Sequence, residues 1–129
     1  TRATFEKWVM QGKQPMAAQE QDSTGMVRQI VGSTPGAISY VAFSYIDKTV
    51  QGLSVDGVAP TDANVTTNQW RIWSYEHMYT KGQPKGLTKK FLAYVMSPAI
   101  QKKLVLKMGY VPMTQMKVVR DANGKVSKQ

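Results

Sequence analysis

Cysteine is absent from the 129 residues. That excludes a disulfide scaffold, a thiolate metal site and a cysteine nucleophile. It fits a cytosolic protein or an exported one built without disulfides, and does not choose between them. Histidine is nearly absent too: His77 stands alone. With no second imidazole and no thiolate, a transition-metal site has no ligand set, so no metal or other cofactor is expected. No run of 18 apolar residues occurs, so nothing in the sequence reads as a membrane-spanning helix. There is no initiating Met, basic n-region or apolar h-region at the start, and a secretory signal, if the gene encodes one, is expected to lie outside this stretch. Phosphate loops of the GxxxxGKS or GxGxxG kind are missing. A serine, His77 and an aspartate could be drawn as a triad, but no nucleophile elbow supports it. The expectation is a protein that is not an enzyme.

Acidic residues are scarce in one region only. Residues 1–80 carry 6 basic and 7 acidic side chains, whereas residues 81–129 carry 11 basic and 1 acidic. The formal charge of +9 therefore belongs to the C-terminal part. One reading is a surface that attracts polyanions. The other is a pair of amphipathic helices with solvated lysine faces. Few aromatics interleave with these lysines, and no nucleic-acid partner is expected.

What is present reads as mixed helix and strand. Phe5, Trp8 and Val9 have helical spacing, with Gly12 and Pro15 as stop signals. Asp22 or Ser23 caps a second helix that buries Met26, Val27, Ile30 and Val31. Pro35-Gly36 turns the chain into AISYVAFSYI, residues 37–46, apolar on both alternating faces. This pattern predicts a central strand buried on both sides. Residues 50–58 predict a weaker strand or hairpin arm, residues 60–68 a loop or one helical turn, and residues 70–79 another strand. Thr88 opens a helix with Phe91, Leu92 and Val95 inward. Ser97 and Pro98 occupy the N-cap and first position of the next, which carries Ile100, Leu104, Val105 and Met108 and ends at Gly109. The tail from Arg120 is expected to be a loose turn or frayed end. One doubly buried strand among helices argues for the α/β class.

Thr1 and Arg2 stand at the start of the first helix. A helix N-terminus offers unpaired N–H donors and a positive dipole end to an anion, although an ordinary cap reads the same way.

Three segments together resemble the PstS-type phosphate-binding family. Thr1-Arg2-Ala3-Thr4-Phe5 is similar to the latter part of its Ser-Gly-Thr-Arg anion motif. Ser23-Thr24-Gly25-Met26-Val27, followed by Thr34-Pro35-Gly36-Ala37-Ile38-Ser39-Tyr40-Val41, resembles its helix and Pro-Gly-Ala-Ile-Gly-Tyr strand, with Ser39 where Gly is common. Phe91 to Pro112 resembles its closing helices, with their Phe, Ser-Pro, Gln and Gly-Tyr-x-Pro. Trp73 to His77 is similar to members from Gram-positive bacteria.

The resemblance implies a two-lobed α/β fold of the periplasmic-binding-protein type (type II), present here in part. Residues 1–70 would belong to the second lobe. Residues 71–129 would contain the strand that crosses the hinge and the helices that pack on the first lobe. The implied function is that of an extracellular receptor, lipid-anchored or periplasmic, delivering inorganic phosphate to the membrane permease of an ABC importer. Of the family's phosphate ligands only Thr1 maps onto this sequence, through its hydroxyl and N–H. Arg2 does not match the ligand arginine, and is a candidate for lining the cleft. The stretch alone would bind phosphate weakly or not at all, and its uncovered apolar surface would favour a dimer or strand exchange. The alternatives are a receptor for another oxyanion such as sulfate or molybdate, an ester-hydrolysing relative, or a cell-surface module using the basic C-terminal helices.

Overall fold

The computed structural model describes residues 1–16 and 19–129. They form two compact units, Thr1–Trp73 and Ser74–Gln129.

In the first unit, α1 (Arg2–Trp8) and α2 (Thr24–Ser33) lie where the apolar spacing placed them. Ser23 caps α2, its hydroxyl accepting from the Met26 amide at 3.2 Å. Gly36 (φ +80°) makes the turn that follows, in a left-handed conformation that costs a residue with a Cβ about 1 kcal/mol or more. The short α3 (Asp62–Thr66) is capped by the Thr61 hydroxyl, which accepts from the Asn64 amide. It supplies Val65 and Thr66 to a small core completed by Trp70 and Trp73. Both indole N–H groups are satisfied: Trp70 donates to the Ile72 carbonyl at 3.1 Å, Trp73 to Asn68 Oδ1 at 3.0 Å. Buried indoles with satisfied N–H groups contribute on the order of 4 kcal/mol each in gross hydrophobic terms.

The strand expected over residues 37–46 is not formed. The segment is extended, broken by a 3-10 turn at Phe43–Tyr45, and Ile38 is 76% exposed. A strand exists only through a partner's N–H and C=O groups, and among the described residues no strand pairs with this one. Residues 50–58 shrink to a single bridge, Val55 to Val58, closed by Asp56 and Gly57 at positive φ, as in a type I′ turn. Residues 70–79 are likewise extended without a ladder. Their period of two survives as a row of side chains on one face: Tyr75 meets His77 at 6.1 Å between ring centres, and His77 meets Tyr79 at 5.9 Å.

In the second unit α4 (Gly86–Val95) starts two residues before Thr88, with Lys85 as N-cap. After it, Ser97 is an extended N-cap with φ −65° and ψ 147°, and Pro98 takes the first position of α5 (Pro98–Ile100). The chain continues into a π-helical turn, Gln101–Val105, and the helical segment ends at Gly109 (φ +75°), as expected.

The tail is a correction to the sequence reading. β1 (Val118–Arg120) and β2 (Val126–Lys128) pair antiparallel, with Val119 opposite Ser127. Asp121 ties the connecting turn, Oδ1 accepting from the Asn123 and Lys125 amides, both at 2.9 Å. The Arg120 amide donates to the Tyr75 hydroxyl at 2.9 Å, which fixes the hairpin to the start of the unit. The tail reads as loose because it is polar and contains the turn formers Asn123-Gly124. They prove to be the turn of a hairpin whose arms, Val118-Val119 and Val126, are short and therefore faint in the sequence.

Candidate functional site

Thr1 and Arg2 lie at the start of α1. Thr1 is its N-cap, its carbonyl accepting from the Phe5 amide at 3.0 Å while its hydroxyl makes no cap hydrogen bond. By helix geometry the first amides of α1 have no intrahelical acceptor. Phe5 holds the helix in place: its ring stacks on Tyr40 with centres 4.2 Å apart and planes inclined by 11°. The helix carrying Thr1 and the segment carrying the Pro-Gly-Ala-Ile sequence are therefore joined by one aromatic pair, 35 positions apart in the chain. At the other end, Gly12 turns the chain, its amide donating to the Glu6 carbonyl at 2.9 Å.

Arg2 does not stand free beside Thr1. Its Nε donates to Glu6 Oε1 at 2.8 Å, one turn along α1, and an Nη donates to Glu20 Oε1 at 2.7 Å. These contacts, that with Glu6 foremost, raise its pKa above the ordinary guanidinium value, so it is charged at all working pH. All three groups are solvent-accessible, so the pairs are screened and contribute little to stability. Their local effect is larger: two carboxylates compensate the one cation nearest to Thr1. What remains for an anion is a set of neutral donors.

The closing motif has a structural role that spacing alone did not reveal. Gln101 is 4% exposed. Its Nε2 donates to the Val95 carbonyl at 3.0 Å, and its Oε1 accepts from the Met113 amide at 3.0 Å. One side chain thus joins the end of α4 to the segment after the helices, where Pro112 is fully buried. The Ser-Pro, Gln and Gly-Tyr-x-Pro elements are parts of one lock.

Sequence reasoning missed a groove in the first unit of about 610 Å³, lined in part by Asn64, Thr67, Asn68, Gln69 and Arg71. Its amides are largely committed to the fold. Asn64 donates to the Ala59 carbonyl and Asn68 accepts from Trp73. The signal was the polar run Thr66 to Gln69, which reads as a loop. His77 lies between Tyr75 and Tyr79, as a side chain of the aromatic row. Among the described residues no three histidines or carboxylates are grouped as metal ligands.

A family model described as a PBP superfamily domain matches residues 1–99, a span that contains α1, α2, the Pro-Gly segment and α4. The chain belongs to the PBP superfamily. Its fold class is accordingly the periplasmic-binding-protein fold, in a chain with several helices and little sheet. The phosphate-binding protein PstS of Bacillus subtilis is 52% identical over 128 residues. That alignment covers 98% of this chain and 43% of the Bacillus protein. The resemblance read from three spaced segments thus extends along nearly the whole chain. This superfamily member spans less than half the length of the relative it matches.

Proposed function

We propose that this chain is the C-terminal part of an extracellular phosphate receptor that delivers inorganic phosphate to the membrane permease of an ABC importer. The observation that carries the reading is the 52% identity to PstS over 128 residues. In this reading residues 1–70 belong to the second lobe, and residues 71–129 cross the hinge and pack on the first. Thr1 is a phosphate ligand through its hydroxyl and amide, and the first turn of α1 adds its positive end. Arg2, held by Glu6 and Glu20, borders the cleft without contacting the ligand. Such a site selects by neutral donors and hinge closure, not by net charge. No bond is made or broken, and the protein is not an enzyme. It works at the outer face of the membrane or in the periplasm, lipid-anchored in the former case.

The exposed apolar residues support a chain that needs cover. Leu87, Phe91 and Tyr94, spaced i, i+4, i+7 on α4, are 84%, 59% and 61% exposed. In the complete receptor the rest of the first lobe covers them. In isolation a dimer or strand exchange would do so.

The test is calorimetric. A chimera carrying the upstream part of Bacillus subtilis PstS joined to this chain binds phosphate tightly and sulfate poorly. Thr1→Ala in that chimera weakens binding about tenfold or more, the loss of a desolvated hydrogen bond. The 129-residue chain alone binds phosphate weakly or not at all. A folded chimera that ignores phosphate refutes the receptor reading. Tight binding by the short chain refutes the assignment of most ligands to another part of the protein.

A further inference from the structure

The charge asymmetry follows the structural division. The unit Thr1–Trp73 holds 6 basic and 6 acidic side chains, the unit Ser74–Gln129 11 basic and 2 acidic. The whole net charge therefore resides in the second unit. Lys85, Lys89, Lys90, Lys102, Lys103 and Lys107 are all exposed. Lys85, the N-cap of α4, stands four residues before Lys89, and Lys103 and Lys107 repeat at i, i+4, a like-charge spacing that weakens a helix. No carboxylate stands between Lys81 and Lys117 to relieve it. Asp121 is used by its own turn. The salt bridges Arg2–Glu6, Arg2–Glu20 and Arg28–Asp47 all lie in the first unit. Glu76 is the unit's one other side-chain carboxylate, so most of the counter-charge for these lysines comes from outside the unit.

We infer that the lysine-bearing helices of the second unit dock on a lipid surface carrying anionic phosphate headgroups. Ten of the unit's eleven basic residues are lysine and one is arginine. Lysine is a mobile point charge suited to a diffuse layer of headgroups. A site that reads phosphates individually, as on nucleic acid, favours the bidentate arginine fork. Among the described residues no helix is long and apolar enough to cross a membrane, and the contact inferred is a peripheral one. Electrostatic docking of this kind is reversible, and screened within about 10 Å at moderate salt. It would hold a soluble domain close to any membrane protein that it serves. The inference does not depend on phosphate binding, and the two readings fail separately.

The experiment is co-sedimentation of the 129-residue chain with vesicles of phosphatidylcholine alone, or with one third phosphatidylglycerol. Binding is expected only with the anionic lipid, and falls steeply as salt is raised. Replacing Lys89, Lys90, Lys102, Lys103 and Lys107 by glutamine lowers the partition coefficient about tenfold or more. The same change at Lys7, Lys13 and Lys48 of the first unit leaves it within about twofold. Circular dichroism checks that each variant is folded. If the fivefold variant is not, the pair Lys102→Gln and Lys103→Gln still gives a graded loss. Equal binding to neutral vesicles overturns the inference, because the exposed apolar stripe of α4 would then be the cause. Equal loss from both lysine sets overturns it as well, as does retention on heparin without vesicle binding.

Discussion

Replacing Gln101 by leucine keeps roughly the volume of the side chain and removes both of its hydrogen bonds. The Met113 amide, 3.0 Å from Oε1, and the Val95 carbonyl, 3.0 Å from Nε2, then face an apolar group in a site where Gln101 itself is 4% exposed. Each lost bond is worth about 1 kcal/mol net, and each partner left dry adds to that, so a total of about 2–4 kcal/mol is expected. Urea unfolding of the 129-residue chain measures it. Native-state hydrogen exchange locates it, since the Met113 amide should lose protection while the Trp73 amide, in the other unit, should not. Gln101→Glu separates the two bonds. Its carboxylate still accepts from Met113 but meets the Val95 carbonyl with no proton between them, so its pKa in the folded state is raised. Stability of that variant is therefore greater below the unfolded carboxyl value, about pH 4, and is lost as pH rises through the folded value. If Gln101→Leu costs less than about 0.5 kcal/mol with Met113 still protected, the lock contributes nothing and the reasoning fails.

Two further perturbations probe the first unit. Asp47 accepts from the Thr49 hydroxyl and amide and pairs with Arg28 at 3.0 Å, and the Thr49 bonds chiefly hold its carboxyl below the ordinary value. Its contribution is thus present above the unfolded pKa, about 4, and disappears as pH falls through the lower folded value. The difference in Tm between the parent and Asp47→Asn should shrink toward zero in acid, and a gap that is the same at all pH would contradict this. Gly25 and Gly32 both lie in α2, but a Cβ on Gly25 meets nothing within 4 Å, whereas one on Gly32 comes to 3.2 Å from the Thr49 carbonyl oxygen. Gly25→Ala should stabilise by roughly 0.5 kcal/mol, and Gly32→Ala should show no gain, because the turn that Asp47 holds must yield. Equal gains in thermal unfolding would show that the turn moves freely.

Helices were largely legible in the sequence, and the reason is physical. A helix satisfies its own backbone, so apolar spacing with a cap at one end and glycine at the other is enough information. Ser23, Pro98 and Gly109 stand where their chemistry predicts. The charge asymmetry and the spaced motifs are properties of the string itself, and the motifs led to the superfamily without any contact being known. The strands were not decidable in this way. AISYVAFSYI has the composition of a central strand, yet composition provides no partner, and among the described residues its backbone forms no ladder. Conversely, β1 and β2 pair across a turn that Asp121 closes locally, and the Tyr75 hydroxyl, 45 positions away in the chain, holds Arg120. The two motif residues with the clearest chemistry divide in the same manner. The sequence by itself determined that Thr1 and Arg2 begin a helix and that Gln101 follows a Ser-Pro cap. Only the tertiary structure decided that Glu20 joins Glu6 on Arg2, and that Gln101 reaches Met113 across 12 residues, because side-chain partners distant in the chain depend on where the chain returns.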